Sequence, residues 1–309
     1  MIRHCLSLKD LTKQEILELL DLSQQIKNKI KSKQDYKPLS GVILGMIFEK
    51  PSTRTRLSFE AGMKRLGGDA IFLSPRDIQL GRGETIEDTA RVISRYVDIV
   101  MIRTFEHSRI ERFAQYSTVP VINALTDLLH PCQVLADLLT IKEKLGRIED
   151  IKVAFFGDGN NMANSWIYAA AVLGFELRVA TPVDFAPNGV VVKEALELAT
   201  KSGARIILTN NPEEAAKDAD VLYTDVWASM GQEDQKEKKH ALMRPYQVNR
   251  ELVKYANKDY IFMHCLPAHR GEEVEAEVID DEKHSVIFDE AENRTYAQLA
   301  TIMNLIGRV

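Results

Sequence analysis

Three cysteines in 309 residues, Cys5, Cys132 and Cys265, are too few and too scattered to form a disulfide framework. That scarcity fits a reducing compartment, and the expected location is the cytoplasm. Long apolar runs are missing too. Nothing approaches the roughly 20 residues of a membrane-spanning helix, and Met1–Leu6 carry no signal-peptide apolar region. Positive charge is not in excess: 40 Lys and Arg against 45 Asp and Glu give a net charge of −5. The balance offers no reason to expect nucleic acid or an anionic membrane as a partner. Low-complexity tracts and internal repeats are absent. What remains, with 45% apolar and 28% charged residues, is an ordinary soluble globular composition. The length is enough for about two domains.

The chain is organised around Pro51-Ser52-Thr53-Arg54-Thr55-Arg56. Val42–Phe48 before it is an apolar run of strand length. After it Leu57, Ala61, Met63 and Leu66 recur at helical spacing until Gly67-Gly68. The motif is therefore a strand-to-helix turn. Free N–H groups and the helix dipole favour an anion there, and hydroxyls with two guanidiniums are suited to phosphate oxygens. A capped helix start with two solvated arginines has the same local pattern, so the reading depends on the rest of the chain.

Strand and helix patterns alternate throughout. Thr12–Glu15 is a capping box for a helix over Lys13–Lys31. Strands are expected at Asp69–Ser74, Ile99–Arg103 and Val119–Ala124, with helices at His107–Tyr116 and Pro131–Leu145. A second series starts at Ile151–Phe156 and continues through Glu176–Ala180, Arg205–Leu208, Val221–Thr224, Ile261–Cys265 and Val286–Phe288. Ala228–Met243 reads as a long polar loop with a charge cluster, of the kind that often forms a lid. A last amphipathic helix spans Tyr296–Gly307. The fold class is α/β: two doubly wound parallel-sheet domains with the active site in the cleft between them. The domains are residues 1–147 and 148–291, joined near Gly146–Asp150, and the C-terminal helix at about 292–309 packs back on the first.

Ligands of doubly wound sheets bind at the carboxyl ends of the strands. The first half places there Ser52–Arg56, Arg103 and His130-Pro131-Cys132-Gln133. The second half places there Asp158–Asn161, Asp225 and His264-Cys265-Leu266-Pro267. Arginine and histidine on one side, Asp, Asn and Cys on the other, imply an anionic substrate on the first domain and an amine or zwitterion on the second. Taken singly, Arg103 could be a surface arginine, Asp225 a solvated cap and Cys265 an inert thiol. Gly157-Asp158-Gly159-Asn160-Asn161-Met162 fails as a dinucleotide fingerprint. Met162 stands where a small residue is needed, and no acid ends the second strand of that half. His264, Cys265 and His269 make only a poor metal pattern, and no metal is expected.

Together these stretches resemble the aspartate/ornithine carbamoyltransferase family. Ser52–Arg56 is similar to its phosphate signature and His130–Gln133 to its second motif. Asp225–Gly231 and His264–Gly271 resemble motifs of the ornithine branch, and the likeness runs from the first helix to the last. The resemblance implies transfer of a carbamoyl group from carbamoyl phosphate to the δ-amine of L-ornithine, in arginine biosynthesis or a catabolic arginine deiminase route. It implies that Ser52, Thr53, Arg54, Thr55, Arg103, His130, Gln133, Cys265, Leu266 and Arg294 bind carbamoyl phosphate, with Gln79 reaching a neighbouring subunit. Asn161, Asp225, Ser229 and Met230 would bind ornithine, and Arg54, Arg103, His130, Asp225 and Cys265 would be the catalytic set. It further implies no metal or organic cofactor, and a homotrimer or multiple of trimers with shared sites. An aspartate enzyme, a putrescine enzyme and a non-catalytic phosphate-binding protein are the alternatives. The first would need cationic groups for a dicarboxylate; the second has no carboxylate for Ser229–Gly231 to bind.

Overall fold

A computed structural model describes residues 2–74, 83–227 and 236–308. Gln79, Ser229, Met230 and the first half of the expected lid loop, residues 228–235, lie outside the described residues. The chain divides into two compact units, Met1–Leu139 with Glu292–Val309, and Thr140–Ala291.

The first unit runs α1 (Lys13–Lys31), β1 (Ile43–Phe48), α2 (Thr53–Arg65), β2 (Asp69–Leu73), α3 (Ile86–Ile93), β3 (Ile99–Arg103), α4 (His107–Tyr116), β4 (Val121–Leu125) and α5 (Pro131–Leu145). The Thr12 capping box forms as expected: Thr12 Oγ1 accepts the Glu15 N–H at 3.2 Å, and Glu15 returns a carboxylate oxygen to the Thr12 N–H at 2.8 Å. All strands are parallel in the order β2-β1-β3-β4. Ile47, Val100, Ile102, Ile110, Phe113 and Val121 belong to a core cluster beside the sheet.

The second unit runs β5 (Lys152–Phe156), α6 (Asn161–Leu173), β6 (Glu176–Ala180), α7 (Gly189–Ser202), β7 (Arg205–Thr209), α8 (Pro212–Ala216), β8 (Val221–Thr224), α9 (Lys236–Met243), β9 (Ile261–His264) and α10 (Ala276–Ile279); α11 (Ile287–Leu305) starts in this unit and from Glu292 onward belongs to the first. Its five strands are parallel in the order β7-β6-β5-β8-β9. Trp166, Tyr223, Phe155 and Phe175 are wholly buried, with Trp166 set edge-on to Tyr223 and Phe175. Both sheets reverse strand order once, between β1 and β3 and between β5 and β8. Those reversals open crevices at the carboxyl ends of the central strands.

Two expectations need correction. Residues 236–243 of the expected loop form α9, where four consecutive good helix formers, the Lys and Glu residues at 236–239, outweigh the polar loop pattern. Val286–Phe288 is not a strand. Only Ser285 makes a bridge to Phe262, and α11 starts at Ile287, well before the expected Tyr296. A three-residue apolar run cannot be told from a helix start by period, and Phe288 is 74% exposed where a buried strand would hide it.

Candidate active site

In the first unit the turn after β1 becomes the N-terminus of α2. Ser52 is its cap, accepting the Thr55 N–H at 3.2 Å and donating its own hydroxyl to Thr55 Oγ1 at 3.0 Å. No acid occupies the first turn, so nothing there opposes a bound anion. The two arginines of the motif have different fates. Arg56 lies 3.9 Å above the centre of the Phe72 ring and pairs with Glu60; Arg54, half-buried, sits within the first turn itself. Arg103 is the last residue of the neighbouring strand β3. Arg294, buried on α11, donates to Thr55 Oγ1 at 2.7 Å.

His130 follows β4 and is 4% exposed. Burial, together with the positive charges of Arg294 and Arg103, holds its imidazole well below the ordinary histidine range. It is neutral at physiological pH and acts as a dipolar hydrogen-bonding group. Gln133, in the first turn of α5, is oriented by donation to Asp137 at 2.8 Å in a fully buried pair. Cys132 points the other way, its thiol donating to the Asn123 carbonyl, and burial pushes its pKa to about 12. It is an inert core thiol. Ser52, Thr55, Arg54, Arg103, His130, Gln133 and Arg294 thus stand on the carboxyl-end loops of β1, β3 and β4 or on the adjoining helix. Together they are a set of hydroxyls, guanidiniums and a neutral imidazole suited to a phosphate and an adjacent carbonyl.

In the second unit Asp225 directly follows β8 and is 8% exposed. Its Oδ1 accepts from the Cys265 thiol at 3.1 Å and from the Val226 N–H, and its Oδ2 accepts from Asn160 Nδ2 at 2.7 Å. Asn160 also caps α6, its side-chain oxygen accepting the Met162 and Ala163 N–H groups. One side chain therefore fixes both the helix start and the Asp225 carboxylate. Asn161, half-buried, begins the same helix. Gly159 permits this turn because a Cβ there would lie 2.3 Å from the Pro187 nitrogen. Asp158 pairs with Lys239 of α9 at 2.6 Å.

Cys265 and Leu266 are held from behind. The Leu266 N–H donates to His264 Nδ1 at 2.9 Å, so the His264 proton resides on Nε2, which faces Glu273 Oε1 at 3.2 Å. The His264 N–H donates to Glu290, which also accepts from Tyr223. His264, Glu273 and Glu290 are wholly buried. Leu266 takes a left-handed φ of 57° and precedes a cis proline. Among the described residues, Asp225, His264 and Cys265, and separately His269, Glu272 and Glu273, bring three donor atoms within 4.8 Å. In the first set both His264 nitrogens are already engaged; in the second the His269 ring and N–H face Glu273.

Sequence reasoning placed Asn160 and His264 at strand ends without giving them a role, and missed Glu273, Glu290 and Lys239 as parts of the site. Asn160 was discoverable as the cap that precedes α6; the two glutamates, 9 and 26 positions from His264, carry no local signal.

Two parallel sheets that each reverse strand order once, one with an anion turn and one with an acid–thiol–amide cluster, define a two-unit doubly wound α/β protein. Residues 3–143 match the carbamoyl-phosphate binding domain of the aspartate/ornithine carbamoyltransferases, and residues 149–305 their aspartate/ornithine binding domain. The chain is 56% identical over 301 residues to an ornithine carbamoyltransferase of Anoxybacillus flavithermus, covering 97% of this chain and 96% of the relative. Among solved structures, the ornithine carbamoyltransferase of Pyrococcus furiosus superimposes with a TM-score of 0.96 at 51% identity, covering 99% and 98% of the two chains. An anabolic ornithine carbamoyltransferase from Campylobacter jejuni gives 0.93 at 46% identity over the full length of both. This chain belongs to the aspartate/ornithine carbamoyltransferase family.

Proposed function

We propose that the chain transfers the carbamoyl group of carbamoyl phosphate to the δ-amine of L-ornithine, giving L-citrulline and phosphate. Family membership and identity above half over nearly full lengths support the reaction class. The observation that carries the choice of acceptor is the Asp225 carboxylate beside the Cys265 thiol at 3.1 Å. An acid at the end of β8 attracts an amine and repels the second carboxylate of aspartate.

The phosphate lies on the Ser52–Thr55 turn with Arg54 and Arg103 as counter-charges. Neutralisation also improves phosphate as a leaving group, because charge grows on it as the C–O bond breaks. Thr55, Arg294 and neutral His130 donate to the carbamoyl oxygen as it becomes an oxyanion. Gln133 and the Leu266 carbonyl hold the carbamoyl NH₂. Asn161, Asp225, Ser229 and Met230 hold the amino-acid end of ornithine, and Cys265 lies by its δ-amine. The amine attacks in its neutral form, so its proton must leave first. The acyl donor arrives activated and needs no cofactor. Residues 1–147 with the C-terminal helix take carbamoyl phosphate, and residues 148–291 take ornithine. A cytoplasmic homotrimer or multiple of trimers, with Gln79 of each subunit reaching its neighbour's site, completes the reading. Among the described residues no helix is long and apolar enough to cross a membrane.

The test is product formation from carbamoyl phosphate with L-ornithine, putrescine, L-aspartate and N-acetyl-L-ornithine offered in parallel. Turnover with ornithine alone is expected. Turnover with another acceptor would retain the phosphate half and overturn the assignment around Asp225. Carbamoyl phosphate binding without any turnover would favour a regulatory protein on this fold. Sedimentation at working concentration reads the trimer.

A further inference from the structure

Asp158 and Asp225 follow neighbouring strands whose last residues, Phe156 and Thr224, pair in register. They bring two carboxylates to one crevice. Asn160 and Cys265 donate hydrogen bonds to Asp225 but do not neutralise it. Asp158 is treated differently. Burial pushes its carboxyl upward and Asp225 repels its charge, while Lys239 opposes both. The Lys239 ammonium is 2.6 Å from Asp158 Oδ2, its side chain is 7% exposed, and it lies 4.9 Å from the centre of the Phe185 ring. The other titratable neighbours are committed elsewhere: His264 faces Glu273, and His240, next to Lys239 on α9, faces Glu272 at 3.4 Å. Among the described residues, the charges facing this spot are two carboxylates from the ends of β5 and β8 and one ammonium from α9.

We propose that Lys239 is a positioning residue that sets the charge of the acceptor half-site: by neutralising Asp158 it leaves a single uncompensated carboxylate, Asp225, for the bound amine. The inference rests on the reading of Asp225 as an ornithine-binding group. An alkyl ammonium has a pKa of about 10 and is not a nucleophile until it loses a proton. Each uncompensated carboxylate nearby stabilises the ammonium and raises that pKa; each uncompensated cation lowers it. One net negative charge attracts the cationic acceptor yet lets its proton go. Two hold the proton too firmly, and none leaves the acceptor weakly bound. A lysine that merely braced α9 against β5 would give no such dependence on the sign of the charge.

The experiment compares the full-length parent with Lys239→Met, Asp158→Asn, the double variant and Lys239→Arg. The reading is kcat against pH at saturating carbamoyl phosphate and L-ornithine, because kcat reports ionisations of the loaded enzyme. The acid limb is expected to move up by about one pH unit in Lys239→Met and down by a similar amount in Asp158→Asn, where the ornithine KM also rises. It should return near the parent position in the double variant and stay there in Lys239→Arg, even if kcat falls. Opposite shifts that cancel in the double variant support the charge balance. Limbs that stay put, or move the same way in both single variants, overturn it. Should Lys239→Met fail to fold, the Asp158→Asn shift and its reversal in the double variant decide alone. Asp225→Asn is measured alongside: an unchanged ornithine KM there, or a parent inactive with ornithine, would mean that the acceptor assignment itself has failed.

Discussion

Arg294 and Thr55, 239 positions apart in the chain, are joined by a buried hydrogen bond of 2.7 Å from guanidinium to hydroxyl. The bond ties α11 to the first turn of α2, and toward the other end of α2 Leu299 and Thr295 approach to within 3.2 Å of where a Cβ on Gly62 would lie. Thr55 further accepts from Ser52, so its lone pairs are taken by two donors and its own proton is left to point at a ligand. The C-terminal helix thereby orients the hydroxyl of the anion turn.

Replacing Arg294 by Met should lower kcat/KM for carbamoyl phosphate by about 10²-fold or more, the usual cost of one preorganised oxyanion donor. Arg294→Lys should recover little of it, because an ammonium lacks the planar fork that reaches Thr55 and a ligand together. Steady-state kinetics with carbamoyl phosphate varied is the measurement. A Met variant with parental kcat/KM would remove Arg294 from the site.

Arg54→Ala and Arg103→Ala should each raise the carbamoyl phosphate KM and lower kcat together, since both arginines would act on a phosphate whose charge grows in the transition state. Arg56→Ala makes the contrast. Arg56 already stacks on Phe72 and pairs with Glu60, so its loss should cost stability and leave kcat nearly intact. Equal kinetic losses at positions 54 and 56 would contradict the division between them.

Asp225→Ala should raise the ornithine KM far more than the carbamoyl phosphate KM. It removes the acceptor for Asn160, Cys265 and the Val226 N–H at once. The reverse pattern, with carbamoyl phosphate the more affected substrate, would sink the assignment of the amine to the second unit.

Where a residue's role follows from its place at a strand end, the sequence makes it legible. Apolar runs such as Ile43–Phe48 and Lys152–Phe156 mark central strands, and polar residues directly after them must face the crevice. Ser52, Arg103, His130, Asp225 and Cys265 all stand at a strand's carboxyl end or in the loop that follows it. Support from behind was invisible. Glu273 and Glu290 look like surface acids in a charged stretch, yet both are wholly buried because His264 and backbone N–H groups satisfy them. Lys239 sits in a run of charges that reads as solvated, and only the fold reveals that its ammonium is turned inward onto Asp158. Pairings between side chains distant in sequence leave no periodic trace. The Val286–Phe288 error has a related origin, because three apolar residues at a helix start satisfy either period.

The buried imidazole of His130 predicts how stability responds to acid. Its pKa in the folded protein lies well below the ordinary value of 6.5, through burial and then the charges of Arg294 and Arg103. Below pH 6.5 the unfolded chain binds a proton that the folded chain refuses, so unfolding becomes more favourable as pH falls. Above pH 6.5 both states hold a neutral ring and the contribution vanishes. His4 and His107 are lowered by burial in the same sense, so the parent alone cannot isolate His130. The difference between parent and His130→Gln can. Denaturant unfolding from pH 7.5 to 5.5 should show the parent losing up to about 1.4 kcal/mol more per pH unit than the variant below pH 6.5. Packing lost in the variant lowers its stability equally at every pH and leaves the slope unchanged. Parallel stability curves would mean that His130 is charged, or accessible to protons, in the folded state. Neutral donation to the carbamoyl oxygen would then be lost as its role.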